Sequence, residues 1–281
     1  MACEAATSTS KRFARMVFST RLRTFGLILA SLFLANAGRT AILPRSTLLN
    51  SFPLREIAGV PVVDTLVVRD AELYMRQHSS DWLYKHVMRS LLFGAVIIQH
   101  NDTLASAIDM ETHAVATLLH DLGWERQLNS SIVTADRRFE VDGAIAARDF
   151  LHGHDDGQHW DDSRVQLVWD SIALHTERSI AYYKELIVQV VSKGISMDFS
   201  GPAFGVTDEE YAAVLEQFPQ DDLVEGVNNT FIWLCQTKPA TTYGQSTLPT
   251  NVLLACPEAL IQLLLTHLLS SHRHLDATMG R

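Results

Sequence analysis

The chain has 281 residues, 47% of them hydrophobic, which is enough for one large domain with a real core. Its formal net charge of −9 leaves no general basic footprint, so nucleic acid is excluded as the expected partner. The first forty residues differ from the rest. Lys11, Arg12, Arg15, Arg21 and Arg23 face one acidic residue, Glu4, and precede the apolar run 25–34 and the triplet Ala35-Asn36-Ala37. A basic stretch, a short apolar stretch and an A-x-A site describe a secretory signal peptide. The apolar run is shorter than the ~20 residues of a membrane span. Residues 1–37 are therefore expected to be a signal peptide or a membrane anchor. The protein is expected to be secreted or in the secretory pathway, with a membrane tether or a mitochondrial transit segment as the alternatives.

Residues 38–79 hold Pro44, Pro53 and Pro61 and read as an extended lead-in that ends in a short helix over 66–77. From there the pattern is helical. Ser80-Asp81 reads as a cap, and 82–99 carries Trp82, Leu83, His86, Val87, Leu91, Phe93 and Ile97. A helix over 104–122 ends in His120-Asp121, with Gly123 placed to stop it in the left-handed cap conformation. Residues 125–137 form a loop, 139–151 a helix, and His152 to His159 a polar loop with exposed histidines. Helices follow over 161–175 and 179–193, the second ended by Gly194. Thr207-Asp208-Glu209-Glu210 opens another with a capping box, and helices over 221–236 and 250–272 finish the chain. There is no alternating strand pattern of any length and no repeat. The expected fold class is all-α, one helical domain over 80–281 behind a hydrophobic leader.

Asn101, Asn129 and Asn228 open glycosylation triplets. Cys3 falls in the leader. Cys235 and Cys256 form no C-x-x-C, and they read as buried thiols rather than a disulfide framework.

The chemistry concentrates at His120-Asp121. The run Ala114 to Leu119 leads into this pair through apolar residues, so a polar pair ends a helix that is buried almost all round. A divalent metal satisfies such a pair, and imidazole with carboxylate suits zinc, iron or manganese. His175 closes a helix and is a candidate substrate contact or proton shuttle. Glu140 is a candidate pocket acid, and Lys85 and Arg89, which flank His86, are candidates to neutralise an anion.

The order His86, His120-Asp121, Asp198 resembles the H…HD…D signature of the HD-domain superfamily of metal-dependent hydrolases. The segments Tyr84 to Ser90, Leu118 to Gly123, Phe139 to Ala144, Ile172 to Thr176 and Trp233 to Pro239 are similar to the fungal cyanamide-hydratase-like branch. The likeness covers about residues 80–245. It implies an HD-type helical domain with a divalent metal, zinc before iron or manganese, held by His86, His120, Asp121 and Asp198. It also implies a hydratase or hydrolase acting on a small molecule, nitrile-like or a natural product, through a metal-bound water. Three alternatives stand beside it. One is a phosphohydrolase on a phosphate ester or nucleotide, for which cations beyond Lys85, Arg89 and Arg137-Arg138 are scarce. One is a di-iron oxygenase drawing on His154 or His159 with His175. The last is a non-catalytic helical protein with an unused site.

Overall fold

The computed structural model describes residues 52–242 apart from Leu128. The leader over 1–37, Cys256 and the expected helix over 250–272 lie outside the described residues.

The lead-in holds a hairpin that the sequence pattern did not announce. Strands β1 (Leu54–Ile57) and β2 (Val60–Val63) pair antiparallel, Leu54 opposite Val63 and Ile57 opposite Val60. Ala58 and Gly59 turn between them with φ of 51° and 76°, the left-handed pair that matches strand twist in a two-residue hairpin. Each strand has four residues, too few for alternation to register, and Ala-Gly is a weak turn signal beside Asn-Gly. Val60, Val62 and Val63 enter the core.

Helix α1 (Leu66–Gln77) follows, then α2 (Asp81–Gln99). From His86 to Ile98 every residue of α2 is buried, as expected of a helix surrounded by others. It packs on α4 (Met110–Leu118), α8 (Leu186–Ser200), α9 (Asp208–Gln217) and α10 (Leu223–Thr237). Around this axis, α5 (Phe139–Gly153) packs on α6 (Asp162–Ala173), and α6 packs on α4 and α8. The short α3 (Asp102–Ala107), α7 (Arg178–Ala181) and α11 (Pro239–Thr242) complete the described α-helices. The mostly helical character agrees with the all-α expectation. The capping box at Thr207 is present in full, Thr207 and Glu210 each satisfying the other's backbone N–H. Among the described residues no helix is long and apolar enough to cross a membrane.

Two helix boundaries fall elsewhere than expected, and both shape the site. The helix expected over 104–122 is broken by Asp109, whose carboxylate accepts from the Glu111 and Thr112 N–H groups and starts α4 afresh. This helix ends at Leu118, so His120-Asp121 lie in the turn that follows, ahead of a 3-10 turn over Leu122–Trp124. Gly123 does not take a left-handed conformation. A side chain there would collide with the Phe139 carbonyl, so glycine lets the turn press onto the start of α5.

The helix expected over 179–193 is two, α7 and α8, and Gly194 lies inside the second instead of ending it. A Cβ on Gly194 would stand 2.8 Å from the Ser90 carbonyl oxygen and 2.9 Å from the Gly94 nitrogen. Here α2 and α8 touch backbone to backbone, and the glycine serves close approach rather than termination.

Candidate metal centre

The Gly94–Gly194 contact places the end of α8 beside the start of α2, which brings Asp198 to His86. His120 and Asp121 arrive from the turn after α4, and His175 from the turn after α6, where the Ser192 hydroxyl on α8 donates to the His175 carbonyl at 3.0 Å. Close packing of Gly143 on α5, within 3.2 Å of the His120 carbonyl for an added Cβ, supports the turn from below. All five side chains are buried.

Each of the three imidazoles is fixed by its Nδ1. In His86, Nδ1 donates to Asp198 Oδ2 at 2.6 Å; in His120, to the Thr117 carbonyl at 2.7 Å; in His175, to the Ile172 carbonyl at 2.7 Å. Carbonyls and an ionised carboxylate only accept, so each Nδ1 carries a proton and each ring turns its Nε2 inward. Those nitrogens meet the Asp121 carboxylate. His120 Nε2 is 3.1 Å from Oδ2, His86 Nε2 3.6 Å from Oδ2, and His175 Nε2 3.5 Å from Oδ1. The Nε2 atoms of His86 and His120 stand 3.3 Å apart. Neither oxygen of Asp121 has a hydrogen-bond donor. Nitrogens and carboxylate oxygens at these distances in a buried space call for a proton or a cation between them.

His86, His120 and Asp121 form a group that can hold a metal ion, their ligand atoms within 4.8 Å of one another. The donor set fits: two imidazoles and one carboxylate suit a borderline divalent ion, and Nδ1–H bonds to carboxylate and carbonyl are the usual outer support of metal-binding histidines.

The charges agree. Burial works to raise the Asp121 carboxyl, but the imidazoles of His120 and His175 hold it far below the usual carboxylate range. Burial pushes His120 down against the pull of Asp121 and favours its neutral form. Burial also disfavours charge on His175, but the carboxylates of Asp121 and Glu140 outweigh it and shift this ring upward. In the absence of an ion His175 is the natural seat of the proton in the cluster.

The remaining candidates have other engagements. Asp198 stands outside the group of three. Its Oδ1 accepts from Arg89 Nε at 2.6 Å and Gln220 Nε2 at 2.8 Å, and its Oδ2 from Arg89 Nη2 at 2.7 Å and from His86. Burial opposes this charge, yet His86 and Arg89 keep the carboxyl well below its ordinary range. Glu140 is fully buried and bound by Arg138 at 2.6 Å and by the Thr176 hydroxyl at 2.6 Å. Burial raises its carboxyl less than Arg138 and His175 lower it. Lys85 is held by Asp81 at 3.0 Å and Asp221 at 3.6 Å. His154, expected to be exposed, is mostly buried: it bonds Asp70 at 3.0 Å and accepts the Asp156 and Gly157 N–H groups, while His159 is exposed. Neither joins the group of three.

Sequence reasoning missed the part of Arg89 and Gln220, which fix Asp198. Arg89 follows His86 by three positions, one turn on the same helix face, and that spacing was the available signal. No family model matches the chain, and no curated protein matches it.

Proposed function

We propose that the chain is a metal-dependent hydrolase or hydro-lyase of the HD type, acting on a small neutral molecule with an electrophilic carbon, such as a nitrile. The supporting observation is the convergence of the Nε2 atoms of His86, His120 and His175 on the buried Asp121 carboxylate. A divalent ion at His86, His120 and Asp121, zinc before iron or manganese, supplies Lewis acidity and a water more acidic than bulk water. Asp198 keeps the proton of His86 on Nδ1 and so keeps Nε2 available. His175 reaches Asp121 through Nε2 and is the group able to take and return a proton beside the reacting centre. Phe139, with its ring centroid 5.7 Å from that of His175, lines this side with apolar bulk. The cations nearest the cluster favour a neutral substrate over a phosphate ester: Arg89 is taken by Asp198, and Arg138 by Glu140 and Glu177.

The test is a hydration and hydrolysis screen on the full chain loaded with zinc, iron or manganese, using cyanamide, simple nitriles, amides and phosphate esters. Amide or urea formation that is lost in Asp121→Asn is the expected outcome. Turnover confined to phosphate esters, or no turnover with an ion bound, refutes this reading.

A further inference from the structure

A second site candidate lies at the start of α2. A cleft of about 290 Å³ opens there, lined among others by Ser79, Ser80, Trp82, Trp124, Arg126 and Thr230. None of its lining residues is a carboxylate, in a chain whose net charge is −9. None of them is His86, His120 or Asp121 either. We propose that this cleft binds a small organic anion with a flat apolar body, of the arylcarboxylate class.

Four donor groups belong to residues that line this place. The first is the N-terminus of α2, a helix of 19 residues: Ser80 occupies the cap position, but its side chain makes no cap hydrogen bond. The N–H groups of the first turn and the positive end of the helix are left for an anion. The second is Trp124, 6% exposed, whose indole N–H has no partner. The third is the Ser79 hydroxyl, also buried and unpartnered. The fourth is Arg126. Its guanidinium donates to Thr230 Oγ1 at 2.5 Å and lies 5.4 Å above the Trp233 ring, and it makes no ion pair among the described residues. Its planar fork suits a planar carboxylate in two parallel bonds.

The carboxylates nearby are turned to other work. Asp81 is held by Arg76 and Lys85, each at 3.0 Å, and Glu125 by His78 at 2.5 Å and by the Ser130 hydroxyl. The apolar walls are the indoles of Trp82 and Trp124, whose centroids are 5.9 Å apart. Gly226 on α10 fixes the Trp82 ring, because any side chain there would collide with it. Aromatic walls beside these donor groups select a flat body carrying an anionic head over a bare oxyanion.

The experiment is a calorimetric titration of the full chain in the presence of a chelator, so that it is decided apart from the metal reading. Benzoate, benzamide and inorganic phosphate are the probes. Saturable benzoate binding is expected at one site, with benzamide and phosphate weaker by about tenfold or more. Arg126→Gln, an exposed position, is expected to weaken benzoate by about tenfold. Gln127→Glu, which adds a carboxylate to the lining, is expected to weaken it as well. No saturable heat with benzoate, equal affinity for benzamide, tighter binding of phosphate, or unchanged affinity in both variants overturns the proposal.

Discussion

His113 shows what burial alone does to an imidazole in this chain. Its ring is fully enclosed on α4, Nδ1 has no partner, and Gly94 on α2 is a glycine because a side chain there would collide with the ring. With no carboxylate beside it, burial pushes its pKa from the ordinary 6.5 down to about 4. The native state therefore refuses a proton that the unfolded chain accepts between those values. Stability falls as pH drops through 6.5, continues to fall to about 4, and gains no further loss from this group below that. The slope from one such group approaches about 1.4 kcal/mol per pH unit. His113→Gln is expected to make the decline of unfolding free energy between those limits shallower by about one proton, read by urea unfolding at several pH values. An unchanged slope sinks the assignment. His120 is held differently, beside the Asp121 carboxylate and by a backbone carbonyl. The aspartate beside His120 is what singled that ring out in the sequence, and His113 has no such neighbour. Of the donors on Asp198, Arg89 left a signal in its spacing from His86, whereas Gln220 was not legible, because it comes from a distant segment that only folding brings close.

Helices were legible wherever apolar periodicity ran long. Phe139–Gly153 and Leu223–Thr237 fall close to the expected ranges. Breaks inside helical stretches were not, because glycine has two uses that the sequence does not tell apart. Gly194 and Gly123 were expected to end helices through conformational freedom, and instead both permit close approach. The consequence for Gly194 is concrete. Gly194→Ala puts a methyl against backbone atoms of Ser90 and Gly94, which cannot move aside as a flexible side chain would. Overpacking of this kind costs about 1–3 kcal/mol, and separating α2 from α8 also parts His86 from Asp198. Gly153→Ala at the end of α5 is the control. An added Cβ meets nothing within 4 Å there, so it is expected to be neutral or stabilising by roughly 0.5–1 kcal/mol. Denaturant unfolding of both variants checks the pair; equal stabilities contradict the close-approach role.

Across the whole molecule, the core and the site are one construction. The buried axis α2 carries Leu83, Val87, Leu91 and Phe93 into the core and, on the same helix, His86 and Arg89 into the cluster. The elements that meet α2 bring the rest of the cluster: α4 through its exit turn with His120 and Asp121, and α8 through its last turn with Asp198, while α6 is followed by His175. The mostly helical architecture followed from composition and periodicity, whereas the β1–β2 hairpin escaped because four-residue strands leave too short a pattern. An ion bound only by the folded chain stabilises it by mass action, so chelation and stability are linked. The most direct measurement is metal content per full chain, by elemental analysis after equilibration with zinc, iron or manganese, for the wild type and for Asp121→Asn with its helical content verified by circular dichroism. One divalent ion per wild-type chain, lost in the variant, is the predicted result. No ion in the wild type, or equal occupancy in a folded variant, contradicts a metal centre at His86, His120 and Asp121.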